Sequence, residues 1–250
     1  MTVPAAPVPI PAVVERIAAG RPVMPVWINE LGGVTFQVGS GPDREFVKTS
    51  TPSGARLVAE ADRLRWAAGF VRVPRVLGVG DGWLHTAGLH GDSAVDPRWV
   101  ANPRTAVRAI GAGLRVLHDR LPVDDCPFDW SVATRLAELT RISGDPPAKS
   151  LTDPPPVDRL VVCHGDACAP NTLIDDDGSC TGHVDLGALG VADRWADLAV
   201  AVLSLCWNYP GRWDDELFDA YGVIPDATRI KYYQRLWQAG DIPPSYQGCQ

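Results

Sequence analysis

The spacing of apolar residues changes partway along this chain, and that change limits the architectures open to it. Up to about residue 90, apolar and β-branched residues come in short runs cut by turn formers. Val34–Val38 and Glu45–Thr49 flank Gly39-Ser-Gly-Pro-Asp43, which is a hairpin signature. Two more strand-like runs, near 75–79 and 82–87, flank Gly80-Asp-Gly82. Helices are predicted in this part only over 12–19, after a Pro-rich extended lead-in at 1–11, and over about 54–67. From about 103 the apolar spacing becomes helical: Val107, Ile110, Leu114 and Leu117 share one face. Further helices are expected near 131–142, 195–207, 213–221 and 226–238, with a Pro-rich loop at 145–156. Leu160–Cys163 and two runs near 172–175 and 181–185 read as short strands among them. There is no internal repeat. Strands first and helices after predict an α+β fold, with a β-rich lobe over 1–89 and a mainly helical lobe over 90–250.

The 250 residues suffice for two lobes with sizeable cores. A formal net charge of −7 disfavours nucleic acid and anionic membrane as partners, and it permits an acidic cleft for a cationic substrate. No run of 18 apolar residues is present, and MTVPAAPVPIP lacks the positive start of an export signal, so a cytoplasmic protein is expected. The six cysteines, at 126, 163, 168, 180, 206 and 249, contain no C-x-x-C pair and read as reduced thiols.

The segment His164-Gly-Asp-Ala-Cys-Ala-Pro-Asn171 lies between two predicted strands, and Val184-Asp-Leu-Gly187 follows. Phosphoryl transfer gathers negative charge on phosphate oxygens, which hard divalent cations neutralise, and such cations prefer oxygen ligands. Asn171 and Asp185 supply oxygens. Asp166 can accept a hydroxyl proton and aim that hydroxyl at a phosphate. A lone H-G-D would be no more than a polar loop. An Asn five residues on and a D-L-G beyond it match the kinase arrangement of base and metal ligands.

Upstream, Lys48 lies in the Phe46-Val-Lys48 strand, and Glu60 lies twelve residues on, on a helix face shared with Leu57, Ala61 and Leu64. A carboxylate on an apolar face is costly unless paired, and Lys48 is its natural partner. Taken alone, Lys48 would read as a solvent-facing strand lysine. Gly32 and Gly33, in Leu31-Gly-Gly-Val34, could form a phosphate-covering loop or a plain hairpin turn, since the G-x-G-x-x-G spacing is absent. Asp197 opens an apolar helix as a cap or as a brace for the Asp166 loop. His85, His90 and His118 read as hinge, surface or packing residues. Trp207 reads as core or cleft lining.

The stretch Val161–Tyr209, with H-G-D-x-x-x-x-N, D-L-G and A-D-R-x-x-D-L-A, resembles the aminoglycoside O-phosphotransferases, and within them the branch acting on streptomycin at the 3''-hydroxyl. The likeness spans most of 27–237. It implies a protein-kinase-like bilobal fold, with ATP bound between a nucleotide-binding first lobe and a catalytic, substrate-binding second lobe. Asp166 would be the base, and Asn171 and Asp185 the Mg2+ ligands. Lys48, oriented by Glu60, would hold the nucleotide phosphates, and backbone groups near Ala87-Gly-Leu89 would bind adenine. The partner implied is a cationic small-molecule antibiotic, bound by a monomer. Where the family often places substrate carboxylates, this chain has Trp207 and Asn208, and the next acids are Asp214, Asp215 and Glu216. The tail from Trp237 is not acidic.

The expected function is therefore ATP-dependent phosphorylation of streptomycin, giving resistance. The same fold could instead serve another aminoglycoside, choline or a sugar. A regulatory pseudokinase would lack a catalytic residue, and none is missing. A protein kinase would carry Arg at Gly165 and an A-P-E segment after Asp185, and neither is present.

Overall fold

A computed structural model describes residues 7–29, 32–50 and 55–240. The calls on residues 1–6, Leu31, Gly54 and the tail beyond Gly240 lie outside the described residues. The chain divides into two units, Met1–His90 and Gly91–Gln250.

In the first unit, strands β1 (Val23–Ile28), β2 (Val34–Val38), β3 (Glu45–Thr49), β4 (Val76–Gly80) and β5 (Trp83–Ala87) form an antiparallel sheet in the order β1-β2-β3-β5-β4. Helix α1 (Ala12–Ala18) buries Val14 and Ala18 against Phe36, Val38 and Val47. Helix α2 (Ala55–Ala67) turns Leu57, Glu60, Ala61, Leu64 and Ala67 inward and packs on β4 and β5.

β1 is absent from the sequence reading because Pro25 interrupts its pattern. The structure tolerates that proline because β1 is an edge strand whose register shifts between Pro25 and Trp27.

The second unit begins with β6 (Asp92–Ser93) and the one-turn α3 (Pro97–Val100), capped by Asp96 accepting from the Arg98 N–H. Helix α4 (Pro103–Arg120) buries Val107, Ile110, Leu114, Leu117 and also His118. After α5 (Val132–Ser143) come β7 (Leu160–Cys163), β8 (Thr172–Ile174), β9 (Cys180–His183) and β10 (Gly190–Asp193). β7 pairs with β10, and β6, β8 and β9 form a second small sheet. β6, β10 and α3 are too short to leave a periodic signal. The expected strand over 181–185 stops at His183, because Asp185 has φ 63° and cannot continue an extended segment.

Helix α6 (Trp195–Asn208) is buried on nearly all sides, as its apolar sequence requires. It packs against α8 (Ala227–Gln238), and α4 packs against α7 (Asp214–Tyr221). Gly111 permits the second contact, since a Cβ there would lie 2.6 Å from the Leu217 carbonyl oxygen.

Among the described residues, no helix is long and apolar enough to cross a membrane. Among the described residues, Cys126, Cys163, Cys168 and Cys180 are free thiols, as the reduced-thiol reading expects of them.

Candidate active site

β7 leads the chain, already buried, into His164 and then turns it at Gly165. Gly165 has φ 85°, and a Cβ on it would lie 2.2 Å from the carbonyl oxygen of Ala188. Both facts demand glycine. The loop carrying Asp166 and the segment after Asp185 touch backbone to backbone there, which explains why no Arg stands at this position. Gly165→Ala is expected to cost about 2–3 kcal/mol, combining left-handed strain with overpacking. Urea unfolding checks this, and an unchanged midpoint would contradict it.

Asp197, in the first turn of α6, is fully buried and gathers three N–H donors. Its Oδ2 accepts from the His164 amide at 2.6 Å and from His118 Nε2 at 2.9 Å. Its Oδ1 accepts from the Gly165 amide at 2.9 Å. Burial alone would push its carboxyl up. The hydrogen bond from His118, the two neighbouring imidazoles and the Gly165 amide outweigh burial and hold it below the usual carboxylate range. Ligand-type atoms of His118, Cys163 and Asp197 lie within 4.8 Å of one another. They do not suit a metal, because both oxygens of Asp197 are taken and the His118 nitrogen facing them must carry a proton.

His164 completes the loop's inner side. Its Nδ1 accepts from the Asp166 amide at 3.3 Å, which leaves Nε2 to donate to the Val184 carbonyl at 2.9 Å. His183 stands edge-on to it, 5.7 Å between ring centres, and burial pushes the His183 imidazole down to about 3. Neither imidazole is placed as a base.

Asp166 is half-buried, but its Oδ1 is shut from solvent and has no hydrogen-bond partner. Its other oxygen accepts from Asn171 Nδ2 at 3.2 Å, and its backbone carbonyl accepts from the same nitrogen at 3.0 Å. Burial, then the nearby Asp185 charge, raises the Asp166 carboxyl. With its nitrogen committed to Asp166, Asn171 turns its amide oxygen the other way. Asp185 is half-buried in a left-handed conformation, which side chains adopt seldom and often at functional sites. The structure thus brings Asp166, Asn171 and Asp185 together around one loop pair.

In the first unit, Lys48 Nζ and Glu60 Oε1 form an ion pair at 2.6 Å, with the Glu60 side chain only 7% exposed. Gly33 sits in a tight turn, its N–H donating to Asn29 Oδ1 at 2.7 Å, while Gly32 has φ 78°. A Cβ on Gly33 would press within 2.7 Å of Asn29 Nδ2 and 2.9 Å of the Thr49 carbonyl. Near the expected hinge, the Ala87 and Gly88 amides donate to the Arg75 and Arg44 carbonyls, and the Leu89 carbonyl accepts from Arg44 Nη2 at 2.7 Å.

The residues considered for substrate contact lie on α6 and α7. Trp207 stacks on Trp237, with ring centres 5.6 Å apart. Asn208 spends its Nδ2 on the carbonyl and hydroxyl of Ser204, and Ser204 Oγ also accepts from the Ala169 amide of the base loop. Asp214 and Asp215 open α7, Asp215 exposed and Asp214 3.5 Å from Arg212. Glu216 is neutralised by Arg104 and Arg108.

Sequence reasoning passed over Tyr221 and Ser204, and it read His118 only as a hinge, surface or packing residue. The signal available for His118 was its place beside Leu114 and Leu117 on the buried stripe of α4, where an imidazole needs polar partners.

Residues 31–233 match the family model described as the APH phosphotransferase enzyme family. The chain is 34% identical to an aminoglycoside 3'-phosphotransferase of Streptomyces fradiae, over 83% of this chain and 91% of that protein. It is 30% identical to the streptomycin 3''-kinase of Streptomyces griseus, over 89% of this chain and 93% of that one. The crystal structure of a type VIII aminoglycoside 3'-phosphotransferase superposes with a TM-score of 0.72 at 29% identity, covering 88% of this chain and 93% of that one.

Proposed function

The chain belongs to the APH phosphotransferase enzyme family, and we propose that it transfers a phosphate from ATP to a hydroxyl of an aminoglycoside antibiotic, conferring resistance. One observation carries the reading. Asp166, on a loop braced by Asp197, keeps a buried carboxylate oxygen without a partner, beside the two oxygen donors Asn171 and Asp185.

That oxygen accepts the acceptor hydroxyl's proton as the hydroxyl attacks phosphorus. Asn171 and Asp185 suit a hard divalent cation such as Mg2+, which when bound neutralises phosphate charge. Lys48, fixed by Glu60, binds the nucleotide phosphates, assigning ATP binding to the first unit, with Gly32 and Gly33 in its phosphate loop. Backbone groups at Ala87 and Leu89 meet adenine. The second unit supplies the base and the substrate contacts, with Asp214 and Asp215 of α7 as acids for a cationic drug and Trp207 and Asn208 beside them. The working form is a cytoplasmic monomer, where ATP and an internalised drug are both present.

Transfer to the 3''-hydroxyl of streptomycin rests on the streptomycin kinase aligning over the larger share of this chain. Transfer to a 3'-hydroxyl rests on the higher identity of the Streptomyces fradiae relative. Incubation with ATP and streptomycin, kanamycin, hygromycin or choline, read as product mass, decides between them. A phosphorylated streptomycin supports the first, and phosphorylated kanamycin alone supports the second. Transfer to choline only would overturn the aminoglycoside assignment.

A further inference from the structure

Arg44, between the Gly41–Asp43 turn and β3, grips the segment that follows β5. Its backbone carbonyl accepts from the Gly88 amide at 2.8 Å. Its side-chain stem lies across Gly88, so close that a Cβ there would stand 2.9 Å from Arg44 Cγ and 2.7 Å from the Arg44 carbonyl oxygen. Its Nη2 then donates to the Leu89 carbonyl at 2.7 Å. On the other side of the guanidinium, Nη1 donates to the Gly41 carbonyl at 3.2 Å, and that carbonyl also takes the Arg44 amide at 3.3 Å. A planar guanidinium held at two nitrogens has a fixed orientation. Arg44 and Leu89 are both half-buried, and both belong to the first unit.

The bond to Leu89 is charge-assisted, and it changes what this segment can offer a base. The Ala87 amide is spent on the Arg75 carbonyl and the Gly88 amide on the Arg44 carbonyl. The Leu89 carbonyl keeps a second lone pair, but any donor approaching it meets the positive N–H groups of Arg44. Purines differ in how much this matters. The Watson–Crick edge of adenine carries an amino donor beside a ring-nitrogen acceptor. That of guanine carries two adjacent donors, the ring N–H and the amino group. Two adjacent donors need two acceptors, and a buried donor without one loses its bonds to water and gains nothing.

We propose that Arg44 is a specificity-determining residue for the nucleotide: by covering the Leu89 carbonyl it makes the 87–89 segment accept adenine and reject guanine. The inference rests on the reading above in which the base meets the backbone at Ala87 and Leu89. Taking the guanidinium away returns the Leu89 carbonyl to the second donor of guanine. Adenine has no second donor on that edge and gains little.

Calorimetric titration of the full chain with the Mg2+ complexes of ATP and GTP tests this without any aminoglycoside. Wild type is expected to bind ATP at least about tenfold more tightly than GTP. Arg44→Ala is expected to narrow that ratio by about tenfold, mainly through tighter GTP binding. Arg44→Lys keeps a cation at the end of the stem and is expected to keep most of the preference. A role in folding alone would move both nucleotides together. An unchanged ratio in Arg44→Ala therefore overturns the inference, whatever happens to the thermal midpoint. Equal affinities of wild type for ATP and GTP overturn it as well.

Should Arg44→Ala not fold, Arg44→Gln retains the stem over Gly88, loses the charge and makes the same comparison. If wild type binds ATP and the ratio ignores Arg44, this inference alone fails. If wild type binds neither nucleotide, the phosphotransferase reading fails, and the inference fails with it.

Discussion

Asp166→Ala is expected to lower kcat by about 10²- to 10⁴-fold, while ATP affinity stays within a few-fold of wild type. The carboxylate is held by Asn171 on one oxygen and keeps the other without a partner, as an acceptor for a substrate proton requires. Its carboxyl is raised by burial and by Asp185, which makes it a better proton acceptor than a solvated carboxylate. Removing it takes away proton transfer and hydroxyl alignment together. Single-turnover kinetics with separate nucleotide titration makes the check. Near-wild-type turnover would move the base elsewhere. A parallel loss of ATP binding would instead mean that Asp166 organises the nucleotide site.

Asp197→Ala is expected to have the largest effect on stability, about 3–6 kcal/mol. Three buried N–H donors, from His118, His164 and Gly165, lose their acceptor at once, at about 1–3 kcal/mol each. Urea denaturation reads this directly, and a loss below about 1 kcal/mol would show that water replaces the carboxylate. The pH dependence has a definite sign. The folded carboxyl lies below its unfolded value of about 3.9, so its contribution is fully present above that pH. The contribution is lost as pH falls through the folded value. Wild type should therefore lose stability on acidification below about pH 4 more steeply than Asp197→Ala. Equal slopes would contradict the assignment.

How much of this was legible beforehand depended on the range of the forces involved. The α4 stripe, the strand pair around the Gly39–Asp43 turn and the Lys48–Glu60 pair follow from local periodicity and from the cost of an unpaired carboxylate on an apolar face. β1 did not show, because Pro25 breaks its pattern and only its edge position makes the proline acceptable. β10 did not show, because four residues carry no period and the strand exists through pairing with β7.

By itself the sequence determined the order of a β-rich then helical chain, the base loop and its Asn, and the family to which those residues point. These depend on residue types at short separations. Only the tertiary structure decided that Gly165 faces the Ala188 carbonyl, that Asp185 adopts a left-handed backbone, and that Asp197 collects donors from α4 and from the base loop. Those contacts join residues 23 to 79 positions apart. Apart from the His118 ring, their partners are backbone groups, which every residue carries alike and which no side-chain pattern along the chain announces.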